Sequence, residues 1–164
     1  SSAASDVYKR QIGDQIETTG AGSVYLKWVT VLNRGTVAAR NCVVEVEHRT
    51  PEEEEYEFLG YALFKRELLA AHTQTRFWLV RARSYDGGAH WETSIMLRDI
   101  RDYTHQENNI IDYPIAVGEH FLKLTMIAEN AASPPRVFKL YVPEGKTELP
   151  KLETLPEMGV RVEH

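Results

Sequence analysis

The sequence predicts an all-β chain folded as an antiparallel sandwich of about seven or eight strands. Residues 29–46 carry the strongest sign. Val29 and Val31 alternate with Thr30, an Asn33-Arg34-Gly35 corner follows, and Cys42, Val44 and Val46 then alternate with Val43 and Glu45. A period of two on both sides of a corner gives each strand one face for a core. The second sign is residues 118–128, where His120, Leu122, Leu124, Met126 and Ala128 share one phase. The third is that no stretch holds a long helical period.

The elements follow in order. Residues 1–11 have neither the apolar centre of a secretion signal nor a period that continues into the domain. They resemble an adapter-derived scar at the end of a translated metagenomic assembly and are expected to be a non-native or disordered leader. The domain is expected over residues 12–143, with residues 14–23 a flexible lead rich in Thr and Gly. A strand spans Tyr25 to Leu32, and a second centred on Cys42 to Val46 ends at Thr50-Pro51. Glu52 to Glu55 repel one another and belong in a solvated loop; they lack the alternating spacing and Gly turn of a calcium loop.

Tyr56 to Phe64 is aromatic enough for a third strand, with Gly60 marking a bulge or close approach. Residues 65–71 are too short to stand as a helix and are read as strand, then turn. Thr75 to Arg83 sets Phe77 and Leu79 on one face and Trp78, Val80 and Ala82 on the other, a strand covered on both sides. Ser84-Tyr85-Asp86-Gly87-Gly88 is the clearest turn, because consecutive glycines take the positive φ that hairpins demand. Trp91 to Leu97 returns. Residues 98–112 have no steady period and read as a long loop. The strand through His120 to Ala128, a turn over 130–135 and a strand from Val137 to Val142 complete the domain. Residues 144–164, with scattered prolines and glutamates, read as an extended tail or linker.

Composition bounds the function. A chain of 164 residues with 43% apolar content suits one domain with a core of its own. Net charge is -5 and the basic residues are scattered singly, so nucleic acid is excluded as a partner class. No run reaches the roughly 18 to 20 apolar residues that span a bilayer. The single cysteine, Cys42, is in phase with Val44 and Val46 and is read as a small core residue, not a reactive thiol.

The pattern Val29-x-Val31-x-Asn33-x-Gly35, followed by Ala38-Ala39-Arg40-Asn41-Cys42-Val43-Val44, resembles the immunoglobulin-like sandwiches related to the CARDB adhesion-type domain. The segment Gly118 to Met126 resembles that family's penultimate strand, with His120 where a tyrosine usually stands. The resemblance covers roughly residues 24–49 and 114–142. It implies an immunoglobulin-like topology and use in adhesion or as a spacer, and by analogy a cell-envelope or extracellular setting. Apart from the resemblance, Asn33 can bond its own backbone to close the corner, Gly35 can take a left-handed conformation, and Ala38 and Ala39 permit close passage of a neighbour.

No reaction is legible. His48, His72, His90, His105, His120 and His164 form no short ligand pair and no H-E-x-x-H element occurs. A loop-built metal-dependent hydrolase would have to assemble from His90, Asp99 or His105. There is no G-x-S-x-G elbow, and no phosphate-cradling glycine loop leads into a helix. No catalytic, metal or cofactor residue is therefore assigned. Trp28, Trp78 and Trp91 lie in strands, where large rings are expected in the core or between sheets. Tyr85, Tyr103 and Tyr113 flank loops, and with His105 they are the candidate contact residues. The reading is a non-catalytic immunoglobulin-like accessory module for protein interaction, adhesion or spacing within a larger cell-envelope or assembly context, with a protein or a glycan as partner. The alternatives are a carbohydrate-binding module using the aromatic residues, the loop-built hydrolase, and self-assembly through exposed strand edges.

Overall fold

Alternating apolar residues become two packed layers of strands. The computed structural model describes residues 12–19, 22–100, 109–145 and 147–154. Among these residues there are eleven strands and no helix: β1 (Ile12–Thr19), β2 (Gly22–Leu32), β3 (Ala39–Arg49), β4 (Glu57–Leu69), β5 (Gln74–Ser84), β6 (Glu92–Arg98), β7 (Ile110–Pro114), β8 (Gly118–Ala128), β9 (Ala131–Ala132), β10 (Arg136–Val142) and β11 (Lys151–Thr154). Each pairing is antiparallel. The strand order is β1-β2-β5-β6-β4-β3-β8-β10-β11, with β7 on β6 and β9 on β8. β1, β2, β5, β6 and β7 form one layer, and β3, β4, β8, β9, β10 and β11 the other. A single bridge, Ala62 with Leu97, joins them. β1 also lies against β11, so the two ends of the order meet and the whole is nearly a barrel.

The core is what the phases of the strands require. Cys42, Val44 and Val46 of β3, Leu122 and Leu124 of β8, and Phe138 and Leu140 of β10 face Val29, Phe77, Leu79, Val80, Ile95 and Leu97 of the other layer. Burying each large side chain here contributes about 1.5–3 kcal/mol. Val44 stands opposite Met126 in the register, and both point inward.

β2 and β3 do not pair with each other; the corner between them carries the chain from one layer to the other. Asn33 makes that crossing. Its Nδ2 donates to the carbonyls of Val37 and Leu69, both at 3.0 Å, and its Oδ1 accepts from Gly35 N at 2.9 Å. Its backbone also bonds Thr73 and His72 of the β4–β5 turn. One amide thus ties together the two corners at this end. Gly35 is not left-handed here: its role is space, since a Cβ would sit 3.2 Å from Asn33 Oδ1.

Four strands lie outside the seven that alternation reveals. β1 occupies much of the expected flexible lead, and β7 begins within the expected long loop and runs past its end. β9 shortens the 130–135 turn. β11 brings part of the expected tail back onto β10, with Pro150 and Leu152 buried. Each is an edge or near-edge segment that needs few apolar residues, so its period is weak. The leader over residues 1–11 lies outside the described residues.

β5 also departs from its sequence reading. Trp78 pairs with Trp28 and Val80 with Lys27, so Leu79 is an extra residue in a β-bulge. The inward phase shifts there from Phe77 and Leu79 to Val80, Ala82 and Ser84, all buried. Both sets therefore enter one core, and the strand is not covered on two sides by apolar layers. Gly60 behaves as expected: its φ is 146 and β4 bulges beside it.

Candidate functional site

The bulge decides what the outer face of β2 and β5 presents. Trp28 alternates with the inward residues Lys27 and Val29, and Trp78 with Phe77 and Leu79, so both indoles point away from the core. This corrects the expectation that they pack between the sheets. Their ring centroids are 5.0 Å apart at 78°, an edge-to-face pair. The Arg76 guanidinium lies 4.4 Å from the Trp28 ring centroid and 5.8 Å from that of Trp78. On the other side, β1 offers Gly13 opposite Trp28, and the indole occupies the place a side chain would take: a Cβ there would fall 2.0 Å from it.

Further along the same face β5 turns Arg81 and Arg83 outward, and β6 adds Arg98. Arg81 is ion-paired with Asp112 of β7. Arg83 stands opposite Glu92 in the register. Arg81 and Arg83 thus stand beside carboxylates, and Arg76 lies over the indoles, so the face is aromatic with arginine and carboxylate interspersed. Trp and Arg are the residue types that dominate binding energy at protein interfaces. The scattered positions of these residues in the sequence hid their convergence, and only the bulge brings Trp78 and Arg81 onto a common face.

The opposite layer presents a different outer surface. Glu119, Lys139, Tyr141, Lys151 and Glu153 line a shallow depression on β8, β10 and β11. Lys139 lies 2.8 Å from Glu119, which holds its ammonium above the ordinary lysine range. Signs alternate across this surface, as they do on a solvated sheet.

Two histidines lie inside, and sequence reasoning missed that they meet. His48 of β3 and His120 of β8 are 8% and 5% exposed, with His48 Nε2 and His120 Nδ1 at 2.9 Å. His120 Nε2 is 2.7 Å from the Ala116 carbonyl. Burial, then His120, hold the His48 pKa below its ordinary value, against the pull of Glu53 and Glu57. The residues are 72 apart in sequence, so no spacing rule finds them. The signal was their phase: His48 follows Val44 and Val46 by twos, and His120 leads Leu122 and Leu124. Lys27 is also buried, 8% exposed, its Nζ 5.4 Å from the Tyr25 ring centroid. Burial lowers its pKa, and Asp14, which accepts from Tyr25 Oη at 2.7 Å, raises it.

Of the candidate contact residues, the two that are described, Tyr85 and Tyr113, lie on different elements. Tyr85 is 71% exposed on the β5–β6 turn. Tyr113 packs against the core from β7, its ring 6.4 Å from that of His48. Tyr103 and His105 lie outside the described residues. Of the hydrolase candidates, His90 is held by Asp86 at 2.6 Å within the turn, and Asp99 closes the end of β6 through its backbone to Asn109. Among the described residues no three His, Cys, Asp or Glu side chains gather as metal ligands, and no helix is long and apolar enough to cross a membrane. Comparison with protein-family models, curated proteins and solved structures finds no match.

Proposed function

We propose that the chain is a non-catalytic, immunoglobulin-like accessory module for protein interaction, adhesion or spacing within a larger cell-envelope or assembly context. It meets its partner with the outer face of β2 and β5. The observation that carries this reading is the outward Trp28–Arg76–Trp78 cluster, which spends three large side chains on a face that the core does not need. Its partner is a protein segment that sets a carboxylate against Arg76 beside the Trp28–Trp78 pair.

The immunoglobulin-like part of the reading is supported by connectivity. β2 pairs with β5 in one layer while β3, β8 and β10 are neighbours in the other, the alternation of layers that Greek-key sandwiches use. His120 adds to it. Its ring bonds the backbone carbonyl four residues upstream, as the tyrosine of a tyrosine corner does with its hydroxyl. The CARDB resemblance of residues 24–49 and 114–142 is consistent with the same topology.

A protein partner is favoured over a glycan because Arg76 already lies over the Trp28 ring and Gly13 lies against it, leaving little of that indole free to stack on a sugar. The test is selection from a random-peptide display library against the protein, with Trp78→Ala and Arg76→Ala as counter-targets. Acidic sequences that bind the protein at least about tenfold more tightly than either variant are expected, in line with hot-spot losses above 1.4 kcal/mol. Selected peptides that do not distinguish the variants would overturn the assignment of the face. A saturable change in tryptophan fluorescence with a carbohydrate panel would replace the protein reading by the glycan one.

A further inference from the structure

We infer that the rim of the sandwich around Val37 and Leu68 docks on the surface of an anionic lipid bilayer. The inference is independent of the outer aromatic face of β2 and β5. It stands on an exposed aliphatic pair, on cations that the sequence scatters and the fold collects, and on the bonds that hold both in place. Val37, in the β2–β3 corner, is 69% exposed, and Leu68, near the end of β4, is 60% exposed. Asn33 brings their backbones together, because its one Nδ2 donates to the carbonyls of both Val37 and Leu69. Leu68 stands opposite Arg40 in the register, and Lys65 opposite Val43.

The rim is fixed before it meets anything. Asn130, in the β8–β9 turn, donates from Nδ2 to Ala38 O at 2.9 Å, and its Oδ1 accepts from Arg40 N at 2.9 Å. Glu129 N donates to Arg40 O, and Asn41, in a left-handed conformation, donates from Nδ2 to Glu129 Oε1 at 2.6 Å. Two amides, Asn33 and Asn130, thus tie the corner before β3 to the β4–β5 turn on one side and to the β8–β9 turn on the other. An exposed aliphatic pair on so constrained a backbone loses little further freedom on docking.

Charge complementarity chooses the occupant. Over residues 33–41, 65–73 and 128–131 the charged side chains besides His72 are Arg34, Arg40, Lys65 and Arg66 against Glu67 and Glu129, all exposed, an excess of cations in a chain of net charge -5. Glu52 to Glu55 and Glu57 lie beyond the far end of β3. From Ala39 to Arg49 that strand runs about 30 Å, several Debye lengths at 0.1 M salt. A negative surface therefore attracts the rim and repels the other end, which orients the sandwich with the rim toward the surface. The aliphatic pair selects lipid among polyanions. Val37 and Leu68 gain by entering the boundary between headgroups and acyl chains, whereas a hydrated polyanion such as nucleic acid offers them nothing. Arg40 and Lys65 lay their aliphatic stems along that boundary and keep their charges at the phosphates.

Co-sedimentation with sucrose-loaded vesicles tests the docking, with phosphatidylcholine alone and with about 30% phosphatidylglycerol added. At about 0.05 M salt the protein is expected to bind the anionic vesicles at least about tenfold more tightly than the neutral ones, and raising the salt to about 0.3 M should weaken that binding at least about tenfold. Val37→Ser with Leu68→Ser, and separately Arg40→Glu with Arg66→Glu, are each expected to lower it at least about tenfold. Val117→Ser, at the far end, should leave it unchanged. A solvatochromic dye on Val37→Cys should shift to the blue on anionic vesicles while the same dye on Val117→Cys does not; Cys42 is buried and stays unlabelled. Equal wild-type binding to the two vesicle types, or an unshifted dye at position 37, would overturn the inference whether or not the other variants fold. Binding that ignores the serine pair would replace lipid docking by plain polyanion attraction, and binding lost in Trp78→Ala alone would move the contact to the outer aromatic face; either result overturns it.

Discussion

Gly13 shows how one residue can serve a neighbour on another strand. β1 is an edge strand, and a Cβ at Gly13 would coincide with the Trp28 indole, whose own movement is limited by Trp78 and Arg76. Gly13→Ala is therefore expected to destabilise the fold by about 1–3 kcal/mol, the usual cost of overpacking. The midpoint of urea unfolding checks this, and an unchanged midpoint would mean that the indole lies elsewhere. Sequence reasoning found Asn33 because an amide before a glycine is a local signal. It did not find Gly13, whose purpose is visible only through Trp28. The histidine pair was hidden for the same reason: β3 and β8 have to meet before His48 and His120 become one object.

At the scale of elements, β5 carries the most information. Its bulge puts Leu79 and Val80 both inside, at 0% exposure each, although they are adjacent in sequence. Leu79→Ala is expected to cost about 2–5 kcal/mol, and Val80→Ala more than about 1 kcal/mol. Denaturant unfolding of the two variants distinguishes the bulge from a regular strand, in which one substitution would be nearly neutral. The β5–β6 turn gives a second test. Asp86 accepts from His90 N, Ser84 Oγ and the His90 ring, and these bonds hold its carboxyl down to about 2 from an ordinary 3.8. Because the folded value is the lower one, the turn's contribution is present above pH 3.8 and lost as pH falls toward 2. Thermal unfolding from pH 5 to 2.5 should show Asp86→Asn with a shallower pH dependence than the parent. Among the strands, the seven with steady alternation were legible. β1, β7, β9 and β11 were not, since a short or edge strand is held by backbone pairing and buries few side chains: β11 buries Leu152 alone among its four residues.

For the whole molecule, the proposed use depends on which residues face the core and which face outward. The two layers meet through Phe138, Leu140 and Leu122 on one side and Phe77, Leu79 and Ile95 on the other, which leaves Trp28, Trp78 and Arg76 to cover the outside. The fold class followed from side-chain period, but the separation of β2 and β3 into different layers did not, because a strand, a corner and a strand are compatible with a hairpin as well. That separation sets the outer face and hence the proposed use. The most direct test is a nuclear Overhauser map of the Trp28 indole in solution. Cross-peaks to Trp78 and Arg76, with none to the side chains of Leu122, Phe138 or Leu140, are expected. Cross-peaks from Trp28 to those core side chains would place the tryptophans between the layers and contradict the account.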